Sequence, residues 1–142
     1  MLPLSFRALV LALTALAVMA GAMLRLRRVR RLGRLAAQWE MSYAPRDPFH
    51  LITRVIRQFP VPGAADVNLV DLIYRQEAGW YRYLLTVEYT TGVVRLKRRH
   101  RRAISLSESR DPHRAGQTIL TPAPRGLSLI EQYRWLHKQL DA

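Results

Sequence analysis

The chain contains no cysteine, which removes disulfides, thiolate metal sites and a cysteine nucleophile together. Its first 34 residues contain no acid: seven arginines, Arg7 and then Arg25, Arg27, Arg28, Arg30, Arg31 and Arg34, stand there unopposed. No glycine-rich phosphate loop is present, and Ser105, Ser107 and Ser109 alternate without the glycine elbow of a nucleophilic serine. His50, His100, His113 and His137 are widely spaced with no i,i+4 histidine pair, so metal-ligand spacing is missing. Asp66 and Asp71 lie five apart on an expected strand and face opposite sides, which argues against a carboxylate pair. These absences point away from an enzyme, and no cofactor is expected.

What the sequence has is charge and one long apolar run. The 142 residues carry a formal net charge of +13. Seven of those charges belong to residues 1–34; the remaining 108 residues, with 16 basic and 10 acidic side chains, contribute the other +6. That remainder is enough for one small domain and not two. A basic balance selects anionic partners: lipid headgroups, nucleic acid or an acidic protein.

From Ala8 to Leu24 the chain reads ALVLALTALAVMAGAML, without a charge. Seventeen residues are the short end of a bilayer span of about 20, and residues before Arg7 lengthen it because that arginine can snorkel to the headgroups. Each of the seven Leu and Val residues contributes about −0.3 to −0.6 kcal/mol to insertion. Residues 1–24 are therefore read as a transmembrane anchor. A cleaved signal peptide is the rival, with Val18-Met19-Ala20 or Ala20-Gly21-Ala22 as its cleavage site. The six arginines that follow at once resist translocation. One arginine before the span against six after it puts the C-terminal side in the cytoplasm of an inner-membrane protein. Leu26, Val29, Leu32, Leu35 and Ala36 recur at helical spacing, so residues 25–42 are expected as a basic juxtamembrane helix. Arg25, Arg27, Arg28, Arg30, Arg31 and Arg34 are the expected contacts for anionic lipid headgroups.

The remaining 43–142 read as a small soluble α+β domain. Tyr43 to Pro48 holds two prolines and reads as a turn. Asp47 caps a short helix over Phe49 to Phe59, ended by Pro60-Val61-Pro62-Gly63. Asp66 to Arg75, Trp80 to Thr90 and Val93 to Leu106 read as an antiparallel meander with tight turns at Ala78-Gly79 and Thr91-Gly92. Two-residue turns pair Val70 with Val87, Leu72 with Leu85, Tyr74 with Tyr83, Tyr89 with Val94 and Val87 with Leu96, all on one face. Glu88 then meets Arg95 on the other. Arg110 to Pro124 reads as a loop with a short edge strand over Thr118 to Thr121. Gly126 to Leu140 closes the domain as a helix, with Ser128 and Glu131 as a capping box and both helices on one face of the sheet.

A second basic run spans Arg95 to Arg102. On a strand, Arg95, Lys97, Arg99 and Arg101 share one face, a candidate partner surface; a solvated edge strand that resists aggregation reads equally well. Tyr81 and Tyr83 are expected opposite Arg102 and His100. The glycine-aromatic signature of RNA-binding sheets is missing, which makes nucleic acid the lesser partner.

Four segments, Trp39 to Pro45 (WEMSYAP), Val61 to Val67 (VPGAADV), Asp71 to Tyr74 (DLIY) and Glu88 to Arg95 (EYTTGVVR), together resemble small membrane-anchored proteins encoded in planctomycete-type bacterial genomes. The resemblance implies a bacterial inner-membrane protein and brings no activity, cofactor or site residue with it. The expectation is a membrane-tethered module that interacts with a protein partner at the bilayer surface. The alternatives are a tether for nucleic acid or anionic lipid through residues 95–102 and, last, a membrane-associated enzyme.

Overall fold

The computed structural model describes residues 3–59, 63–93, 95–111, 113 and 117–142. The architecture is α+β. A single helix α1 (Leu4–Gln38) leads into strand β1 (Ser42–Arg46) and short helix α2 (Ile52–Gln58). Strands β2 (Ala65–Glu77), β3 (Trp80–Thr91), β4 (Arg98–Ser109) and β5 (Thr118–Pro122) follow, and helix α3 (Leu129–Asp141) closes the domain. The five strands form one antiparallel sheet in the order β1-β2-β3-β4-β5, so each neighbour in sequence is a neighbour in space.

α1 is long and apolar enough to cross a membrane, and none of its most apolar 18-residue stretch is buried. Its end behaves differently. Leu32, Leu35 and Ala36 are buried with Met41, Ile73, Leu84, Ala103, Tyr133 and Leu136. One unbroken helix therefore begins as an exposed apolar rod and ends inside the domain core.

The segment Ser42–Arg46, expected as a turn, is instead edge strand β1, pairing Tyr43 with Ile73 and Ala44 with Leu72. Pro45 is tolerated because an edge strand has one side without ladder hydrogen bonds. Asp47 accepts from the Phe49 amide at 3.1 Å and the Ile52 amide at 3.3 Å, but it is not the cap: that position falls to Leu51, whose side chain makes no capping hydrogen bond. The helix itself is shorter than expected, starting at Ile52. The expected stop at Pro60-Val61-Pro62 lies outside the described residues. The Ser128–Glu131 capping box is present.

The two helices do not share a face. α2 packs Leu51 and Val55 against Leu69, Leu72, Tyr83, Leu85, Val87, Ile104 and Leu106. α3 and the end of α1 cover the other face. Sheet residues of both parities are apolar between Leu69 and Leu106, so both faces need cover; α3 and the end of α1 supply the second.

The β2–β3 hairpin keeps the expected pairing near its turn, Tyr74 opposite Tyr83, but a bulge between Val70 and Ile73 puts Val70 opposite Thr86 rather than Val87. Asp71 sits in that bulge with φ 54°, a left-handed backbone that Asp accepts more readily than most residues. The extra residue brings Leu69 and Leu72 to the same face although they are three apart.

The β3–β4 pairing is displaced by six residues. Tyr89 faces His100, Val87 faces Arg102, Leu85 faces Ile104 and Tyr83 faces Leu106. The expected partner Val94 lies outside the described residues. A displacement by an even number leaves each side chain on its expected face while replacing charged residues with Ile104 and Leu106 in the core. Tyr81 accordingly faces Glu108, and Glu88 faces Arg101 rather than Arg95.

Candidate functional site

The most polar region of the domain lies where α1 crosses the sheet. Arg28 points inward from α1, with its Nε 3.1 Å from Asp71 Oδ2 in an ion pair; both atoms are buried, and among the described residues neither makes a hydrogen bond. The Tyr43 hydroxyl donates to Asp71 Oδ1 at 2.7 Å, and the buried Tyr133 hydroxyl donates to the Asp71 carbonyl at 2.6 Å. Tyr133 also shares a 2.8 Å hydrogen bond with the Thr86 hydroxyl. Burial, then the hydrogen bond to the Asp71 carboxylate, raises the Tyr43 pKa. Burial likewise holds Tyr133 well above the ordinary tyrosine range. Both phenols thus stay protonated as donors.

Glu88, also buried, is ringed by three arginines: Arg101 Nε at 2.9 Å, Arg99 Nη2 at 3.5 Å and Arg28 Nη1 at 3.9 Å. Two carboxylates therefore answer three guanidinium groups, because a buried carboxylate without such partners would be costly. The acids of this face are fully used, and the remaining arginines around α1 are left to solvent or to a ligand.

Those arginines line two hollows. A groove of about 760 Å³ runs between α1 and the start of α3; Arg27, Arg31 and Arg34 line one wall, Arg134 and the Ser128–Ile130 turn the other, with Leu24 at one end. Among the described residues no carboxylate lines it, and Arg27, Arg31, Arg34 and Arg134 make no ion pair. The amino end of α3 adds its partial positive charge. On the other flank of α1, a hollow of about 580 Å³ collects Arg25, Arg46 and Arg99 above Asp71 and Glu88. Chemically, this arrangement holds anions: guanidinium groups on a semi-rigid frame bind phosphate or carboxylate in a fork.

Of the six flank arginines, Arg25, Arg27, Arg31 and Arg34 line these hollows, Arg30 stands exposed, and Arg28 turns into the domain. The second basic run does not form one strand face. β4 begins at Arg98, so Arg95 and Lys97 lie in the β3–β4 loop, apart from Arg99 and Arg101 on Glu88. Arg102 is absorbed differently, donating from Nε and Nη2 to the Ala123 carbonyl at 3.0 and 2.9 Å and lying 5.7 Å from the Phe59 ring centre. Arg46, Arg134 and the Asp71–Tyr133 network were not anticipated. A signal existed for one of them: an aspartate inside the apolar run Leu69–Tyr74 needs a buried cation.

A third hollow, of about 510 Å³, lies at the β2–β3 hairpin end of the sheet and is walled by Phe49, Tyr74, Tyr81 and Tyr83. Phe49 meets Tyr74 edge-on, with ring centres 5.0 Å apart. Among the described residues no group of three or more His, Asp or Glu side chains is placed to hold a metal ion. Compared with known proteins, the chain matches no family model, no curated protein and no solved structure.

Proposed function

We propose that this chain is a single-pass protein of the bacterial inner membrane, with its domain in the cytoplasm, working by binding at the bilayer surface. Arg25, Arg27, Arg31 and Arg34 engage anionic lipid headgroups there, and the domain presents itself to a protein partner. The observation that carries this reading is the continuity of α1. Its exposed apolar half and its buried end belong to one helix, and the unpaired arginines collect where the two meet. Each arginine near an anionic surface is worth about 1 kcal/mol, so the groove favours a charged leaflet. The aromatic hollow at the far end of the sheet supports the protein-partner part, since Tyr and Phe are enriched where proteins meet.

Nucleic acid is the weaker alternative. A tether along residues 95–102 needs a continuous free cationic face, yet Arg99 and Arg101 are engaged with Glu88 and Arg102 with Ala123.

The test is protease protection of a C-terminal tag on the full-length chain in bacterial membranes, with the mass of the intact chain recorded. A cytoplasmic tag and a retained N-terminal segment are expected. Neutralising Arg27, Arg28, Arg30 and Arg31 together is expected to weaken or invert the orientation. A tag outside, or a chain cut near Ala20, would overturn the cytoplasmic assignment.

A further inference from the structure

The sheet and the anchor helix run side by side, and this fixes where the β3–β4 loop points. Arg28 of α1 meets Asp71 of β2, and the Trp39 carbonyl accepts from Arg75 Nη1 at 3.3 Å. Between those contacts α1 advances 11 residues, about 16 Å, while β2 advances four, about 13 Å. α1 and β2 therefore run in the same direction, and β3, antiparallel to β2, runs back toward the apolar end of α1. From Glu88, level with Arg28, three more residues carry β3 about 10 Å to Thr91. Leu24, the last residue of the uncharged run, lies only about 6 Å from the level of Arg28 along the helix. The loop after Thr91 thus reaches past the end of the uncharged run.

What it carries there is unusual for this domain. Val93 and Leu96 are each 73% exposed, the most exposed large apolar side chains outside α1 among the described residues. Within the loop the Leu96 amide donates to the Val93 carbonyl at 2.7 Å. Gly92, at φ 101°, has no room for a side chain, because a Cβ would lie 2.6 Å from the Leu96 carbonyl oxygen. Arg95, Lys97 and Arg98 flank the apolar tip, and no acid occurs between Thr90 and Ala103. Apolar side chains at a tip set among cations suit the headgroup–acyl boundary of an anionic leaflet, where the hydrocarbon sinks and the charges stay at the phosphates.

We propose that the β3–β4 loop is a second membrane contact. Val93 and Leu96 enter the interfacial layer of the leaflet from which α1 emerges, and Arg95, Lys97 and Arg98 sit on its anionic headgroups. The proposal rests on the anchored reading of α1. With two contacts instead of one, α1 and the domain fixed to its end cannot turn together about the helix axis, and the arginine groove is kept facing lipid.

Because the chain lacks cysteine, single-cysteine variants can be labelled cleanly. We would attach an environment-sensitive fluorophore to V93C, L96C, A78C at the opposite hairpin, and L16C within the anchor. Each full-length variant would be reconstituted into phosphatidylcholine vesicles containing a minority of phosphatidylglycerol, with and without lipid carrying a shallow spin-label quencher. The 93 and 96 probes are expected to shift to shorter wavelength and to lose most of their emission to the quencher, while the 78 probe stays water-exposed. Probes at 93 and 96 that behave like the 78 probe, with the 16 probe still in an apolar environment, would overturn the loop contact and leave the anchor standing. A water-exposed 16 probe would overturn the anchored reading itself, and the loop proposal with it.

Discussion

The two faces of the sheet are built on different principles. Beneath α2 the contact is dry: Leu51 and Val55 lie on Leu69, Leu72, Leu85, Val87, Ile104 and Leu106. Beneath α1 and α3 the same sheet carries Asp71, Thr86, Glu88, Ser105 and Ser107, with Gln132 of α3 among them; these are all the buried polar side chains of the described residues. Apolar contact is strong but has no direction, so the buried part of this contact holds α2 down without dictating its rotation; the directional contact is at the rim, where the partly exposed Arg54 of α2 pairs with Glu108 of β4. Hydrogen bonds and ion pairs fail when misaligned. The polar face therefore specifies where α1 sits, and α1 is the helix long and apolar enough to cross a membrane.

The dry face gives the largest effect. Leu85 is buried at the centre of that cluster, and Leu85→Asp strands an unpaired charge there, at a cost of several kcal/mol. The expected outcome is a domain unfolded in its full-length chain in detergent, seen as red-shifted tryptophan emission from Trp39 and Trp135, which pack against the other core cluster. A variant that melts with the parent would mean that this face is not a core.

Asp71→Asn sharpens the comparison from the polar side. Asparagine accepts the left-handed backbone and keeps the shape, so the variant removes charge alone. Arg28 then faces a neutral amide. Breaking a buried pair from one side costs about 3–5 kcal/mol, and the partial exposure of Arg28, 22% of its side chain, reduces that to about 2 kcal/mol. Urea unfolding of the full-length chain measures it. A loss below the error of extrapolation would show that the polar face specifies nothing and that α1 is held by Leu32, Leu35 and Ala36 alone.

Much of this fold is legible in the sequence because alternation and turn residues act locally. The meander, the capping box and the long apolar helix all follow from spacing. The sequence misleads where one residue has two physical outlets. Thr91-Gly92 suits a tight turn, but closing the hairpin there would pair core residues with the arginines of 95–102, so the loop widens and Ile104 and Leu106 slide in. Asp71 breaks strict alternation, and a bulge is invisible to a period-two reading. Pro45 marks a turn or an edge strand equally well, and only the open side of β2 decides. For the site, the flank arginines stand out because they are consecutive. Arg134 and Arg46 do not, because the two hollows they complete are assembled by tertiary packing of distant segments.

A smaller probe of the polar face is Tyr133→Phe. It removes one hydroxyl that bonds the Asp71 carbonyl and the Thr86 hydroxyl, leaving both buried without that partner. A cost of about 1–2 kcal/mol is expected, and Thr86→Val in the same background should recover part of it by removing the second orphan. If the double variant is no better than the single one, the two hydroxyls are not coupled, and the network is a set of separate contacts.

The least effect is expected from titrating the end of α1. Trp39 stacks on His137 of α3, with ring centres 4.1 Å apart and planes 4° from parallel. Burial lowers the His137 pKa, Asp141 one turn on opposes this, and Arg75 adds to the lowering; the net shift is downward. In the unfolded chain the imidazole takes its proton near pH 6.5, whereas in the folded domain it does so only at lower pH. Between those values the unfolded state binds more protons, so stability is full above about pH 6.5 and falls as pH drops through the interval. Thermal unfolding at about pH 7.5 and about pH 5.5 spans the histidine while leaving most carboxylates ionised. The parent is expected to lose a degree or a few between them, and His137→Gln to lose less, because it carries no titrating ring against Trp39. Equal losses in both proteins would assign the pH dependence to other groups. The contact between α1 and α3 would then be held by apolar packing, as on the face beneath α2.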